Sequence, residues 1–377
     1  MILSLEACLR APKMLLRRIP RQNLCNIMPK ALQAQLTRLL STIVDSATLE
    51  RSLRALHLPR TLAGTEEGVA SRALISLALN VALFGDLVER VPTGRAYVSD
   101  CLASGREVVF DHGALRTVAL EGMGSLPAGE AAITRVLLPL GYRMNDVYPL
   151  GRLGMTGRAY THEDHPEVLP QFFVSELHPE RFSPAFLESV RRVTASSVDP
   201  LTAADVRALE LLQKQRWLDT ATATRLIRSL LGCFRRQHAT PAWTDYQILL
   251  AESAEMAWIA TEGNAFNHAT DRVASIDALV AEQRQTGRAL KPTIESSRSG
   301  RVRQTAFRAD MVVREFLRDD GSVMQHQVPG SFYEFIQRDF VSDPATGSRR
   351  LDLAFDSNNA QGIFKMTAAG VAHAGAM

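Results

Sequence analysis

Apolar residues recur at helical spacing through PKALQAQLTRLLSTIVDSATLERSLRAL (29–56) and again through 66–90, where the pattern stops before Val91-Pro92. Both stretches predict helices. The most apolar part, ALISLALNVALFG (73–85), is interrupted by Asn80. It falls short of the ~20 residues needed to cross a bilayer and predicts a buried helix instead. The pattern then shortens. REVVFDHGALRTVAL (106–120) is rich in Val and Thr and predicts a strand. PAGEAAITRVLLPLGY (127–142) returns to helix, with Pro127 near its first turn and Gly141 just past its end. MTGRAYTHE (155–163) and PQFFVSELH (170–178) predict two more strands, and 184–257 reads as almost wholly helical, with breaks near Pro200 and Pro241. Beyond it lie WIATEGNAFNHATDRV (258–273), a helix over 275–287 and a strand over 303–309. A hairpin turns at Asp320-Gly321, and SFYEFIQRDF (331–340) ends the set.

The order strand, helix, strands thus occurs twice, over about 106–178 and 258–340, with a helical insertion over 184–257 between them. No residue-level repeat accompanies it. No linker rich in Gly, Pro or Ser divides the chain, so the expectation is an α+β fold with one catalytic domain over 29–377. Residues 1–28 stand apart: Arg10, Lys13, Arg17, Arg18 and Arg21 face the single acid Glu6. Such a basic leader reads either as an organelle transit peptide or as a start placed too far upstream, with Met14 or Met28 the true one.

Composition narrows the function. With 46% apolar residues in 377, the chain can bury a sizeable core. Its 43 basic and 40 acidic residues nearly balance, at a net charge of +3 and without a like-charged block, which argues against nucleic acid and anionic membranes as partners. Cys8, Cys25, Cys101 and Cys233 form no CxxC pair. That speaks against a zinc ribbon or a disulfide framework, and suits a reducing, cytoplasmic setting. No GxGxxG, P-loop or nucleophile elbow is present.

The candidate chemistry lies in FDHGALRT (110–117), FNHAT (266–270) and SFYEF (331–335). On a strand, residues two and four apart share a face. His112 and Arg116 then point one way, as do Phe266, His268 and Thr270, and as do Phe332, Glu334 and Ile336. Each strand would present one polar group among apolar neighbours. An unpaired buried imidazole or carboxylate costs several kcal/mol, roughly, and a divalent ion would offset that. Two histidines and one carboxylate with open positions form the ligand set of non-haem ferrous oxygenases. Arg116 would add a cationic fork suited to a carboxylate. The bland reading stands beside this one, because nine histidines and 40 acids allow many triples and a strand histidine is more often a satisfied core residue.

DHGALRT, QFFVSELHP, GNAFNHATDRV, RQTAF and PGSFYEFIQR resemble, in this order, the signatures of the DUF1338 family, the 2-oxoadipate dioxygenase/decarboxylase (hydroxyglutarate synthase) proteins, over roughly 60–370. The resemblance implies an incomplete β-barrel of vicinal-oxygen-chelate type surrounded by helices. It implies Fe(II) held by His112, His268 and Glu334, and a substrate-gripping Arg116. A further substrate contact would fall near Asn358 and Asn359 in SNNAQGIF, where the local sequence departs from the family. The implied reaction consumes a small 2-oxo acid and O2, with oxidative decarboxylation and hydroxylation of the shortened acid. For 2-oxoadipate the product would be 2-hydroxyglutarate, as in lysine degradation. Two other readings keep the scaffold: a metal-dependent isomerase or lyase, and a non-catalytic metabolite-binding protein.

Other polar residues read more plainly. His162 and His165 in YTHEDHPE predict a solvated loop, and His178 a structural role. Arg301, Arg303 and Gln304 could line a pocket or orient a ligand, while Trp217, Trp243 and Trp258 read as core.

Overall fold

A computed structural model describes residues 21–62, 68–342 and 347–357, with side chains from residue 31 onward. Most of the segment 1–28, and both Asn358 and Asn359, lie outside the described residues. Helices α1 (Arg21–Leu40), α2 (Ser46–Ala55), α3 (Arg72–Arg90) and α4 (Pro92–Ala103) lead into the first strand of the main sheet, β1 (Phe110–Val118). Then come α5 (Ala131–Leu137), β2 (Tyr142–Leu150), β3 (Met155–His162) and β4 (Gln171–Leu177). A helical stretch comes next: α6 (Pro184–Thr194), α7 (Ala203–Gln215), α8 (Thr220–Gly232), α9 (Trp243–Glu252) and α10 (Ala254–Glu262). The chain then repeats its earlier order with β5 (Phe266–Arg272), α11 (Ile276–Gln285), β6 (Glu295–Ser296) and β7 (Val302–Ala306). The hairpin β8 (Met311–Leu317) and β9 (Val323–Pro329) precedes β10 (Phe332–Arg338).

Eight strands form one sheet in the order β2-β3-β4-β1-β5-β10-β7-β6. Outward from the centre, each half is alike. β1 pairs parallel with β4, as β5 does with β10, and antiparallel pairings continue on both sides. β1 and β5 join the halves antiparallel. Each half is therefore a strand, a helix and three strands, and the eight strands together form the curled half-barrel expected of the vicinal-oxygen-chelate type.

Each half holds one strand more than the sequence pattern predicts. β2 is an edge strand whose central residues Arg143–Val147 are exposed, so it carries no apolar alternation, and β6 is only two residues long.

One face of the sheet is covered by α3, which is buried from Arg72 to Val88 apart from Asp86. Its apolar residues join Phe110, Leu115, Phe172, Val174, Phe266, Tyr333 and Phe335 in the main core. Asn80, the interruption in that helix, donates to the Ser76 carbonyl at 2.9 Å and to the Tyr142 hydroxyl at 3.0 Å, so a polar residue fits a dry helix. The other face is concave and carries the small residues Ala114, Gly157 and Ala159, leaving room beside the polar side chains of β1, β5 and β10. Trp217 departs from its expected core position. It is 44% exposed, because on a short strand with 69–71 the alternation turns Leu218 inward instead.

Candidate metal centre

The three ligand candidates meet on the concave face. In the sheet register Ala114 lies beside His268, His112 beside Thr270, and Thr270 beside Glu334. Glu334 Oε2 is 3.2 Å from His112 Nε2 and 3.0 Å from His268 Nε2. All three side chains are buried and their ligand atoms lie within 4.8 Å of one another. Among the described residues no other such group of His, Cys, Asp and Glu occurs.

Two β-bulges aim the imidazoles. Asp111 is an extra residue in β1 between Phe110 and His112, and Asn267 is an extra residue in β5 between Phe266 and His268. A bulge adds one residue to one strand and re-aims the side chains beyond it. This corrects the expected parity: Phe266 turns away from His268 into the main core, where its ring packs against Phe110, Phe172 and Phe234. Each bulge residue also bonds the ring beside it. Asp111 Oδ1 accepts from His112 Nδ1–H at 2.9 Å, and the Asn267 amide lies 3.0 Å from His268 Nδ1. With Nδ1 held this way, Nε2 faces the shared point.

The electrostatics stem from these partners. Burial raises the Glu334 carboxyl, but the two imidazoles against it outweigh burial and hold it well below the usual carboxylate range. Burial also disfavours charge on His112, yet the Asp111 and Glu334 carboxylates on its two sides raise it. His268 has only a neutral amide at Nδ1, and there burial wins and lowers it. Asp111 itself is buried, and the Arg338 guanidinium and His112 overcome burial to keep it ionised.

This donor set fits a metal ion. Donors ~2.0–2.2 Å from a common ion lie ~3 Å apart at right or tetrahedral angles, which is the spacing seen between Glu334 and each ring. Thr270 Oγ1 donates to Glu334 Oε2 at 2.6 Å, whereas Glu334 Oε1 is buried and meets no hydrogen-bond partner among the described residues. The carboxylate thus has one oxygen against both ring nitrogens and the other without a partner, a group that a cation would satisfy.

The triad borders a cleft. Asn267 and Gln304 extend its polar wall, while Ala114, Phe173 and Phe355 form an apolar one. Arg116 follows on the same face of β1 but is fully buried and does not line the cleft, as its register neighbour Ser175 does. Its guanidinium is 4.8 Å over the Trp258 ring. Burial lowers it to about 10 while the Glu255 carboxylate supports its charge, so it is a cation at neutral pH.

Of the residues read as support, only Gln304 lines the cleft; Arg301 pairs with Asp352 and Arg303 with Asp277. His162 is buried, not solvated: it ends β3, and its Nδ1 accepts from the Asp164 amide at 3.2 Å. His178 bonds Thr156 at 2.8 Å and is structural. Sequence reasoning missed Asp111, Asn267, Arg338 and Phe355. The signal available for the first two was a hydrogen-bonding residue directly before each histidine.

Residues 80–366 match the family described as 2-oxoadipate dioxygenase/decarboxylase. The chain belongs to that family. Among solved structures, a glyoxalase superfamily protein from Ralstonia eutropha is 52% identical, at a TM-score of 0.81 over 86% of this chain and 99% of that one. The hydroxyglutarate synthase of Oryza sativa in complex with 2-oxoadipate is 19% identical, at 0.60 over 84% and 96%. The Pseudomonas putida hydroxyglutarate synthase in complex with 2-oxoadipate is 21% identical, at 0.54 over 82% and 76%. At such identities the two synthases share the fold with this 2-oxoadipate dioxygenase/decarboxylase family member. No curated protein matches the chain. Among its described residues no helix is long and apolar enough to cross a membrane.

Proposed function

We propose that this chain is a mononuclear Fe(II) dioxygenase that converts a 2-oxo dicarboxylic acid, 2-oxoadipate, and O2 into 2-hydroxyglutarate and CO2. The observation that carries this reading is the buried His112–His268–Glu334 group at the wall of a cleft, in a chain of this family. When bound, ferrous iron would supply open positions for a chelating 2-oxo acid and for the activation of dioxygen.

The protein's own part is binding, orientation and exclusion of water. His112, His268 and Glu334 hold the ion from one side. Phe173, Phe355 and Ala114 keep the cleft beside them dry and shape it for a carbon chain. Arg116, a cation at neutral pH, grips a carboxylate. Asn358 and Asn359, outside the described residues, are proposed as further substrate contacts.

The deciding test is an oxygen electrode run on protein loaded anaerobically with Fe(II), against 2-oxo acids of increasing chain length. Oxygen uptake and equimolar CO2 with 2-oxoadipate are expected. The likeness to a glyoxalase superfamily protein supports a second reading, a metal-dependent isomerase or lyase, which predicts turnover without oxygen uptake. His268→Ala should lose iron more severely than the ~10–100-fold that accompanies loss of an outer partner. Parent-like iron content in that variant would remove His268 from the ligand set. Arg116→Met keeps bulk against Trp258 but removes the charge. It should raise KM for the dicarboxylate about 10- to 100-fold, the worth of a charge-assisted hydrogen bond, and leave iron content at the parent level.

A further inference from the structure

Arg338 joins two parts of the site. It lies on β10 four residues past Glu334, and its side chain is fully buried. Nε donates to Asp111 Oδ1 and Oδ2 at 3.1 and 3.0 Å, and Nη2 donates to Oδ1 at 2.9 Å. Nη1 turns the other way and donates to the carbonyls of Asp352 at 3.0 Å and Ala354 at 2.7 Å. Its guanidinium also lies 4.8 Å over the Phe355 ring. Those last contacts belong to the strap 352–357, which brings Phe355 and Asp356 to the cleft. Phe355 stands edge-on to the His112 ring at 4.8 Å, and its N–H donates to the Tyr148 hydroxyl at 3.0 Å.

The two ligand histidines are therefore unequal. His268 has a neutral amide at Nδ1, and His112 has a carboxylate fixed by a buried guanidinium. A carboxylate accepting from Nδ1–H raises the basicity of Nε2 and fixes the ring's orientation. The carboxylate can do so only while its own direction is fixed, and Arg338 fixes it with the same planar fork whose far side holds the strap. Arg272, 3.7 Å from Asp111 Oδ2, adds charge without that link.

We propose that Arg338 is a positioning residue that couples closure of the cleft by the strap to the strength of His112 as a metal ligand. This rests on the metal-centre reading above. When the strap is seated, Nη1 is occupied, the fork is locked and Asp111 is aligned with Nδ1. When the strap lifts, the fork loses two of its anchors and the His112 ring loses both its edge-on neighbour and its fixed partner.

The test uses the purified full chain, Co(II) as the probe, competition with a chromogenic chelator for affinity, and the visible Co(II) spectrum for geometry. Hydrogen exchange over 352–357 reads the strap. Arg338→Met should weaken Co(II) binding by about 10- to 100-fold, alter the spectrum and deprotect the strap together. Asp111→Asn should weaken Co(II) binding, and Tyr148→Phe, which loosens the strap without touching Arg338, should deprotect the strap and weaken Co(II) binding through it; a deprotected strap beside parent-like affinity there also overturns the coupling. Arg338→Lys, which keeps the charge but not the fork, should fall with Arg338→Met in strap exchange; it also serves if the methionine variant does not fold. Parent-like affinity, or a parent-like strap, in the Arg338 variants overturns the coupling. His268→Ala separates the two failures: should it bind Co(II) like the parent, the metal centre itself is wrong, whereas its loss of Co(II) beside unaffected Arg338 variants sinks only the proposal.

Discussion

Asp271 sits on β5 three residues past His268, on the face turned to the main core, where its carboxylate accepts from the Tyr97 hydroxyl at 2.7 Å and from the Val109 amide at 2.9 Å. Burial pushes it up to about 6 from an ordinary 3.8, more than those two donors pull it down. The neutral acid is thus favoured in the fold. Between those two values the folded chain binds more protons than the unfolded one, so this group's contribution to stability falls as pH rises through the window and is flat above it. Asp271→Asn removes the term, with Oδ1 still taking the Val109 donor. At about 1.4 kcal/mol per pKa unit, the variant should gain on the order of 2–3 kcal/mol on the parent between pH 4 and pH 7.5, read from urea midpoints. Parallel shifts of the two proteins over that range would remove Asp271 as the cause. The same strand shows what a residue-by-residue reading can reach. His112, His268 and Glu334 were legible because their types and strand positions are. Asp111 and Asn267 were not, because a strict two-residue period has no place for the extra residue that a bulge inserts.

At the scale of elements, the strong patterns were legible and the weak ones were not. The buried helix α3, the strands β1, β4 and β10 and the Asp320-Gly321 hairpin all carry clear periodicity or a turn dipeptide. Edge strand β2 lacked a signal because its middle faces water, and the helix α4 because Pro92 at its start reads first as a stop to α3. One contact ties strand to strand without any periodic signature. A side chain at Gly113 on β1 would bring its Cβ within 2.3 Å of the Phe266 ring on β5. Gly113→Ala should therefore cost about 1–3 kcal/mol by overpacking, measured as a lowered urea midpoint. Phe266→Leu added to it should restore part of that loss, since the two positions share one space and will not be additive. Strict additivity in the double variant would place the strain elsewhere.

At the scale of the molecule, the two halves meet at the antiparallel pairing of β1 with β5, and the candidate ion site lies across that seam. One ligand candidate comes from the first half, on β1, and two from the second, on β5 and β10. An ion bound only by the assembled halves adds its binding free energy to folding, RT ln(1 + [L]/Kd), which is about 2.7 kcal/mol at a hundredfold excess over Kd. A chain of this length moves its melting temperature by a few °C or less per kcal/mol, roughly, so the expected rise on adding Co(II) to chelator-stripped protein is several °C. His268→Ala provides the control for the route of that gain. Without the β5 ligand only one donor remains on each side of the seam, too few to hold the ion, and the rise should vanish, while the variant's own melting temperature falls because the buried Glu334 carboxylate loses one of the two imidazoles that offset it. A parent protein that melts at one temperature with and without the ion would mean that the three side chains do not close on it together. A rise that survives in His268→Ala would mean that the ion stabilises the fold from somewhere other than the seam.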